Sequence, residues 1–454
     1  MNAYTAVCSQ LLFPLHERLK GHRSTAWRRE LERSQWLSAD ALQAQQTQRL
    51  RGFLLDIGTR VPYWRDQFRR LGFDPRGVTS PADLQALPLT RKADIRQHFA
   101  ALTAEGHGPL KTYNTGGSSG EPLIFLMGRD RISHDVAAKW RATRWWGVDI
   151  GDPEMVVWGS PIELGAQDRL RRLRDGLLRS ELLPAFEMSD VKLDGFIAAI
   201  RRQRPRMLFG YPSALAHIAR HAERHGQALD GLGIRVVFVT SERLYDDQRA
   251  LIGRVFGCPV ANGYGGRDAG FIAHECPHGG MHVSAEDIVV ELLDADGRRV
   301  PDGTPGEIVV THMATQEFPF LRYRTGDVAV AHGEACACGR GLPLLKEIQG
   351  RQTDFVVAAD GTVMHGLALI YILRDMAGLE SFKIVQESLA RTTVLLHAGA
   401  AFDRARAAEV VERFQRRLGK SVEVDVQFVN YIDAEASGKF RYVVSHVAAA
   451  GARA

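Results

Sequence analysis

The chain has 454 residues, 45% hydrophobic and 24% charged, a balance that fits a globular protein long enough for two or more domains. Its 58 basic and 53 acidic residues leave a formal charge of +5 spread along the chain, with no concentrated footprint for nucleic acid. No run approaches the ~18 consecutive apolar residues of a membrane span. The N-terminus lacks an uninterrupted apolar core before a cleavage site, and five cysteines do not make a disulfide framework, so the cytoplasm is the expected location.

Residues 1–100 are predicted mostly helical. Ser38 is placed to cap a helix in which Leu50, Phe53, Leu54 and Ile57 recur on one face, and Val61-Pro62 ends it. From about 110 to 350, short β-branched runs alternate with amphipathic helical stretches. Residues 155–158, 236–239 and 308–310 read as buried strands, and 213–225 as a helix among them. Beyond 350 the pattern changes. Asp360-Gly361 signals a hairpin, 382–385 and 392–396 read as strands, 404–418 as a helix and 422–428 as an alternating strand. The expectation is an α/β protein. A large multilayer domain over 1–350, with mixed sheets covered by helices, would be joined near Gly350-Arg351 to a small mobile α+β domain over 351–454.

Six segments carry chemistry. Thr115-Gly116-Gly117-Ser118-Ser119-Gly120-Glu121-Pro122 offers backbone N–H groups and hydroxyls without side-chain bulk, which suits a polyphosphate as well as an ordinary surface loop. Thr240-Ser241-Glu242 ends a buried strand, where open α/β sheets bind ligands, and reads equally as a helix start with Ser241 as N-cap. In Asn262-Gly263-Tyr264-Gly265-Gly266-Arg267-Asp268, Tyr264 can lie flat on a purine and Asp268 can hold a metal ion; a structural turn has the same look. Asp327, after Thr325-Gly326, can accept from two ribose hydroxyls or merely close a turn. Gly350-Arg351-Gln352-Thr353-Asp354 reads as a hinge or a plain linker. Ser437-Gly438-Lys439-Phe440 projects an ammonium from a turn, as any exposed lysine would.

In this order the segments resemble the adenylate-forming superfamily, in the branch of phenylacetate–CoA ligases and capsule-biosynthesis relatives. Phe209-Gly210-Tyr211-Pro212-Ser213 adds to the likeness, which covers about residues 30–445. The resemblance implies ATP-dependent adenylation of an aryl or acyl carboxylic acid with release of pyrophosphate, then transfer to coenzyme A. An amine or sugar hydroxyl is the alternative acceptor. A hydroxyl-adenylating transferase and a non-catalytic nucleotide binder share the same motifs.

By the same resemblance, Thr115, Gly116, Gly117, Ser118, Ser119 and Gly120 hold phosphates. Glu242, Tyr264, Gly265 and Arg267 complete the ATP site, Asp327 binds ribose with help from Arg351, and Asp268 holds Mg²⁺. Lys439 is catalytic, and Tyr211, near Trp158 and Phe238, lines the acid pocket. Three departures stand out: Asp268 replaces the family's usual Glu, shortening its reach by roughly 1.5 Å, Arg267 replaces a common Thr, and Thr353 stands at the usual hinge position two after Arg351, with Asp354 following it. A second copy of the chain is an admissible partner.

Cys336-Ala337-Cys338 is a Cys-x-Cys turn, and Cys276 lies in a histidine-rich stretch, a donor set for structural Zn²⁺ or simply packed thiols. The relatives' pattern maps onto Cys276, His282, Cys336 and Cys338, with His278 as the competing imidazole. Cys8 and Cys258 are expected to pack.

Overall fold

Ser38 does cap the helix Ala39–Arg60: its hydroxyl accepts from the Ala41 N–H at 3.3 Å. In this computed structural model the described residues are 2–115, 123–158, 169–185, 190–351, 355–361, 363–365, 367–374, 376–399, 401–432 and 441–447. Leu50, Phe53, Leu54 and Ile57 are buried, each contributing about 1.5–3 kcal/mol by leaving water. Val61 closes the helix, and Pro62 opens the next, Pro62–Leu71, where its missing N–H costs nothing. These helices are tied to residues late in the chain. Ser34 bonds Glu286 at 2.9 Å, Gln46 donates to the Ala285 carbonyl at 2.6 Å, and Arg49 pairs with Asp287. The Gly341 N–H reaches the Gln35 carbonyl at 3.0 Å.

The strands β1 (Lys111–Asn114) and β2 (Ile124–Met127) make a hairpin. Eleven more build the main sheet: β3 (Glu154–Trp158), β4 (Ser180–Pro184), β5 (Met207–Gly210), β6 (Val236–Thr240), β7 (Val260–Gly266), β8 (Gly270–Glu275), β9 (Met281–Val283), β10 (Ile288–Leu293), β11 (Pro305–His312), β12 (Phe320–His332) and β13 (Leu344–Arg351). Their order is β10-β11-β12-β13-β9-β8-β7-β6-β5-β3-β4. The segment from β4 to β7 is parallel and the remainder antiparallel. Helices Asp190–Gln203, Pro212–Arg224 and Asp246–Phe256 link the parallel strands and cover them. Burial on both faces explains why β6 is one unbroken apolar run up to Thr240. The carboxyl ends of β5, β6 and β7 therefore open on one edge, where Tyr211, Glu242 and Arg267-Asp268 follow in the loops.

The second, smaller sheet begins after a hairpin of β14 (Phe355–Val357) and β15 (Val363–His365), around the expected Asp360-Gly361 turn. Strands β16 (Leu379–Gln386), β17 (Arg391–Ala398), β18 (Glu423–Phe428) and β19 (Val443–Ser445) order as β18-β17-β16-β19, with helix Ala407–Leu418 packed on them through Val410, Phe414 and Leu418. The observed fold is thus a large mixed sheet under helices plus a smaller C-terminal sheet domain, the expected class. Arg224 pairs with Glu380 at 3.1 Å, and Tyr245 meets Tyr442 edge-on at 5.5 Å, joining the two parts. No helix among the described residues is long and apolar enough to cross a membrane.

Candidate active site and metal centre

Tyr264 and Asp327 meet although 63 positions apart: the Tyr264 hydroxyl donates to Asp327 Oδ2 at 2.8 Å. Burial, then the Asp327 charge, push the phenol's pKa well up, so it stays protonated as a donor. The ring is fixed by a β-bulge between Tyr264 and Gly265 in the β7–β8 ladder. Gly265 is required by close approach: a Cβ there would lie 2.1 Å from the Gly270 carbonyl oxygen. Asp327 also pairs in register with Arg351, the last residue of β13, so the main chain of the expected hinge lies across from it.

Asp268 lies in the turn of the same hairpin. Its Oδ1 accepts from the Ala269 N–H at 3.0 Å and its Oδ2 from the Tyr323 hydroxyl at 2.7 Å. Each oxygen keeps lone-pair capacity beyond that single bond, so the carboxylate fits a divalent cation. Arg267 reaches the Asn114 carbonyl at 3.3 Å, at the foot of the small-residue loop. Thr115 ties that foot twice, its N–H to the Leu123 carbonyl at 3.0 Å and its Oγ1 from the Leu123 N–H at 2.9 Å. Gly116, Gly117, Ser118, Ser119 and Gly120 lie outside the described residues, as does Lys439. Tyr442, three positions beyond Lys439, rests on Tyr245 as described above.

The alternative placing Ser241 as a helix N-cap is overturned. The following helix starts at Asp246 with Tyr245 as its cap, and Ser241 sits at φ +72°, a backbone region an L-residue enters at a cost. Glu242 instead serves another helix: it accepts from the Ser213 N–H at 3.2 Å, at the N-terminus of Pro212–Arg224. Tyr211, just before that helix, is buried and stacks on Trp158 at 4.3 Å. The stack continues through Phe209 to Phe238.

A separate donor cluster forms at the far end of β8. Cys276, His282, Cys336 and Cys338 converge with their donor atoms all within 4.8 Å of one another. Cys276 Sγ lies 3.6 Å from Cys336 Sγ, and Cys338 Sγ 3.2 Å from His282 Nε2. His282 Nδ1 faces the Leu342 carbonyl at 3.4 Å, which turns Nε2 toward the sulfurs. Burial holds the His282 pKa down to about 4, so the imidazole is neutral near pH 7, and burial pushes the Cys276 thiol up to about 12. A three-sulfur, one-imidazole set of this compactness fits a tetrahedral metal ion. His278 is exposed and outside the cluster, so His282 is the imidazole the fold supplies.

Sequence reasoning missed two groups. Arg131, buried in helix Arg129–Trp145, donates to the main-chain carbonyls of Arg267 and Asp268, both at 3.2 Å, and its Nε bonds Asp135 at 2.9 Å. A lone Arg on a helix carries no signal of partners about 136 positions away, in the loop after β7. The second is the buried set His134, Asp135 and His312, whose donor atoms also fall within 4.8 Å. A cation there would face the Arg131 guanidinium, so this is a buried charge network. Burial alone would lower the His134 pKa, but hydrogen bonds and charge from Asp135 and Asp287 raise it to about 9.

Known proteins share this layout. The AMP-binding enzyme family matches residues 182–315, and the CapK C-terminal domain matches 356–446. The phenylacetate-coenzyme A ligase of Thermus thermophilus is 24% identical over 403 residues, 86% of each chain. Protein CapK of Staphylococcus aureus is 23% identical over 407 residues, covering 88% of this chain and 89% of CapK. In fold, the crystal structure of a 2-hydroxyisobutyryl-CoA ligase in its postadenylation state superposes with a TM-score of 0.75 over 91% of both chains, at 22% identity. The two domain matches lie on the two sheets in the expected order, so the chain is similar to AMP-binding enzymes in its main sheet and to CapK in its C-terminal sheet.

Proposed function

We propose that this protein activates a carboxylic acid with ATP and passes the acyl group to coenzyme A. The observation that carries the reading is the Tyr264–Asp327 hydrogen bond, with Asp268 and Arg267 on the same hairpin and the foot of the small-residue loop beside them. The phenylacetate-coenzyme A ligases among the relatives support the acceptor.

In the first step a carboxylate oxygen bonds to the α-phosphorus of ATP, the bond to the β-phosphate oxygen breaks, and pyrophosphate leaves with the electron pair. In the second, the coenzyme A sulfur attacks the acyl carbon, its proton passes to solvent, and AMP leaves. Residues 115–120 cradle the phosphates, and Tyr264 stacks on adenine. Asp327 accepts from the ribose hydroxyls with Arg351 beside it, and Arg267 offers a charged fork to the α-phosphate. Lys439 stabilises charge that grows in the transition state. Mg²⁺ held at Asp268 would neutralise phosphate charge. Glu242 acts on the site from the helix start it caps, and Tyr211 bounds the acid pocket. Cys276, His282, Cys336 and Cys338 hold a structural Zn²⁺, since four protein ligands leave no open position. ATP and coenzyme A place the reaction in the cytoplasm. The boundary at 350/351 is the hinge about which the C-terminal domain turns between the two steps.

The test is ATP–pyrophosphate exchange by the full chain across aryl and fatty acids, with Lys439→Ala in parallel. Acid-dependent exchange, lost in the variant, is expected, with a thioester formed when coenzyme A is added. ATP binding without exchange for any acid would overturn the proposal.

A further inference from the structure

Asp268 is one methylene shorter than the Glu the superfamily usually carries, and two buried side chains surround it. Tyr323 is fully buried on β12 and spends its hydroxyl on Asp268 Oδ2 at 2.7 Å. Arg131 is 1% exposed and does not touch that carboxylate. Its two terminal nitrogens grip the Arg267 and Asp268 carbonyls, both at 3.2 Å, while Asp135, at 2.9 Å, answers its charge. The consequence is electrostatic as well as geometric. A guanidinium paired to Asp268 itself would compete with a cation, but one paired to Asp135 fixes the loop and leaves the Asp268 charge available.

We propose that Tyr323 and Arg131 are positioning residues that present the Asp268 carboxylate to a nucleotide-bound divalent cation, making good the shorter side chain. This rests on the reading of Asp268 given under the proposed function. Tyr323 sets the carboxylate's rotation through one oxygen. Arg131 sets the height of the main chain through two carbonyls, a fork that lysine cannot copy.

The experiment titrates Mn²⁺ with ATP against the full chain by electron paramagnetic resonance, and measures the Mg²⁺ dependence of exchange, for wild type, Tyr323→Phe and Arg131→Lys. Thermal melts run alongside. Tyr323→Phe is expected to weaken Mn²⁺–ATP binding by about tenfold, the factor a hydrogen bond to a charged group is worth. The half-saturating Mg²⁺ concentration should rise by a similar factor while KM for the acid stays put. Arg131→Lys should shift the same two quantities, with exchange recovering at high Mg²⁺; it also serves if Tyr323→Phe does not fold. A merely structural role would lower the melting temperature and leave the metal dependence alone. Wild-type affinity retained by folded variants overturns this inference alone. A wild-type chain that binds no Mn²⁺–ATP overturns the proposed function and this inference with it.

Discussion

Gly265→Ala separates placement of Tyr264 from simple stability. A Cβ at 265 meets the Gly270 oxygen at 2.1 Å and the Gly270 C and Phe271 Cα atoms at 3.1 Å, all main chain that cannot rotate away. Reaching ordinary contact near 3.4 Å requires the β7–β8 ladder to open by roughly 1 Å at the bulge. Overpacking of this kind costs about 1–3 kcal/mol, a fall of a few degrees in Tm for a protein of this size. The catalytic effect is larger in proportion, since a misplacement of ~1 Å lowers rate on the order of 100-fold. Exchange assays at saturating ATP and acid measure the rate, and calorimetry the stability. Gly52→Ala is the control, because a Cβ there meets nothing within 4 Å. A Gly265→Ala enzyme within about twofold of wild type would refute the idea that the bulge fixes the ring.

Three other outcomes are expected. Arg322→Met should cost about 3–5 kcal/mol in urea unfolding, because Glu291, held at 2.9 and 3.0 Å, is left buried without its charge partner; a loss below about 1 kcal/mol would contradict this. Purified protein should carry one Zn²⁺ per chain by elemental analysis, and Cys336→Ser or chelation should lower Tm while sparing KM for ATP; full Tm in metal-free protein counts against the site. Stability should peak near neutral pH. Burial holds His274 and His312 down to about 3 against an ordinary 6.5, so the unfolded chain binds more protons and stability falls below about pH 6.5. His134, raised to about 9, is the opposite case, and its contribution is lost as pH rises from about 6.5 through 9. Melts from pH 5 to 9 check both limbs, and His134→Gln should flatten the alkaline one only.

What the sequence made legible is what periodicity and spacing encode. Ser38 announces a helix because its hydroxyl can serve an N–H three residues on, and β6 announces itself because burial on both faces leaves no alternation. The Cys276, His282, Cys336 and Cys338 set was visible as clustered donors at two short spacings. The misreading at Ser241 has a physical cause: a local capping pattern looked complete. The carboxylate of Glu242 was instead drawn to Ser213, 29 positions away, and Ser241 was bent to φ +72°. Arg131 and Tyr323 were illegible for a related reason. Their partners lie on other strands and loops, and nothing in a helix or strand pattern records where a long polar side chain ends.

The tie between the first helices and the late strands imposes an order on synthesis. Gln35, Gln46 and Arg49 emerge early, yet the groups they clasp, from Ala285 to Gly341, follow by 238 residues or more. At a ribosomal pace of ~5–20 residues per second, the apolar face of helix Ala39–Arg60 waits roughly 12–60 s for its seat. During that interval its buried stripe is a target for holding chaperones. The parallel strands, completed first, have no finished neighbour on the β7 side. Slowed translation across residues 260–345 should therefore reduce the yield of folded protein more than an equal delay after residue 355.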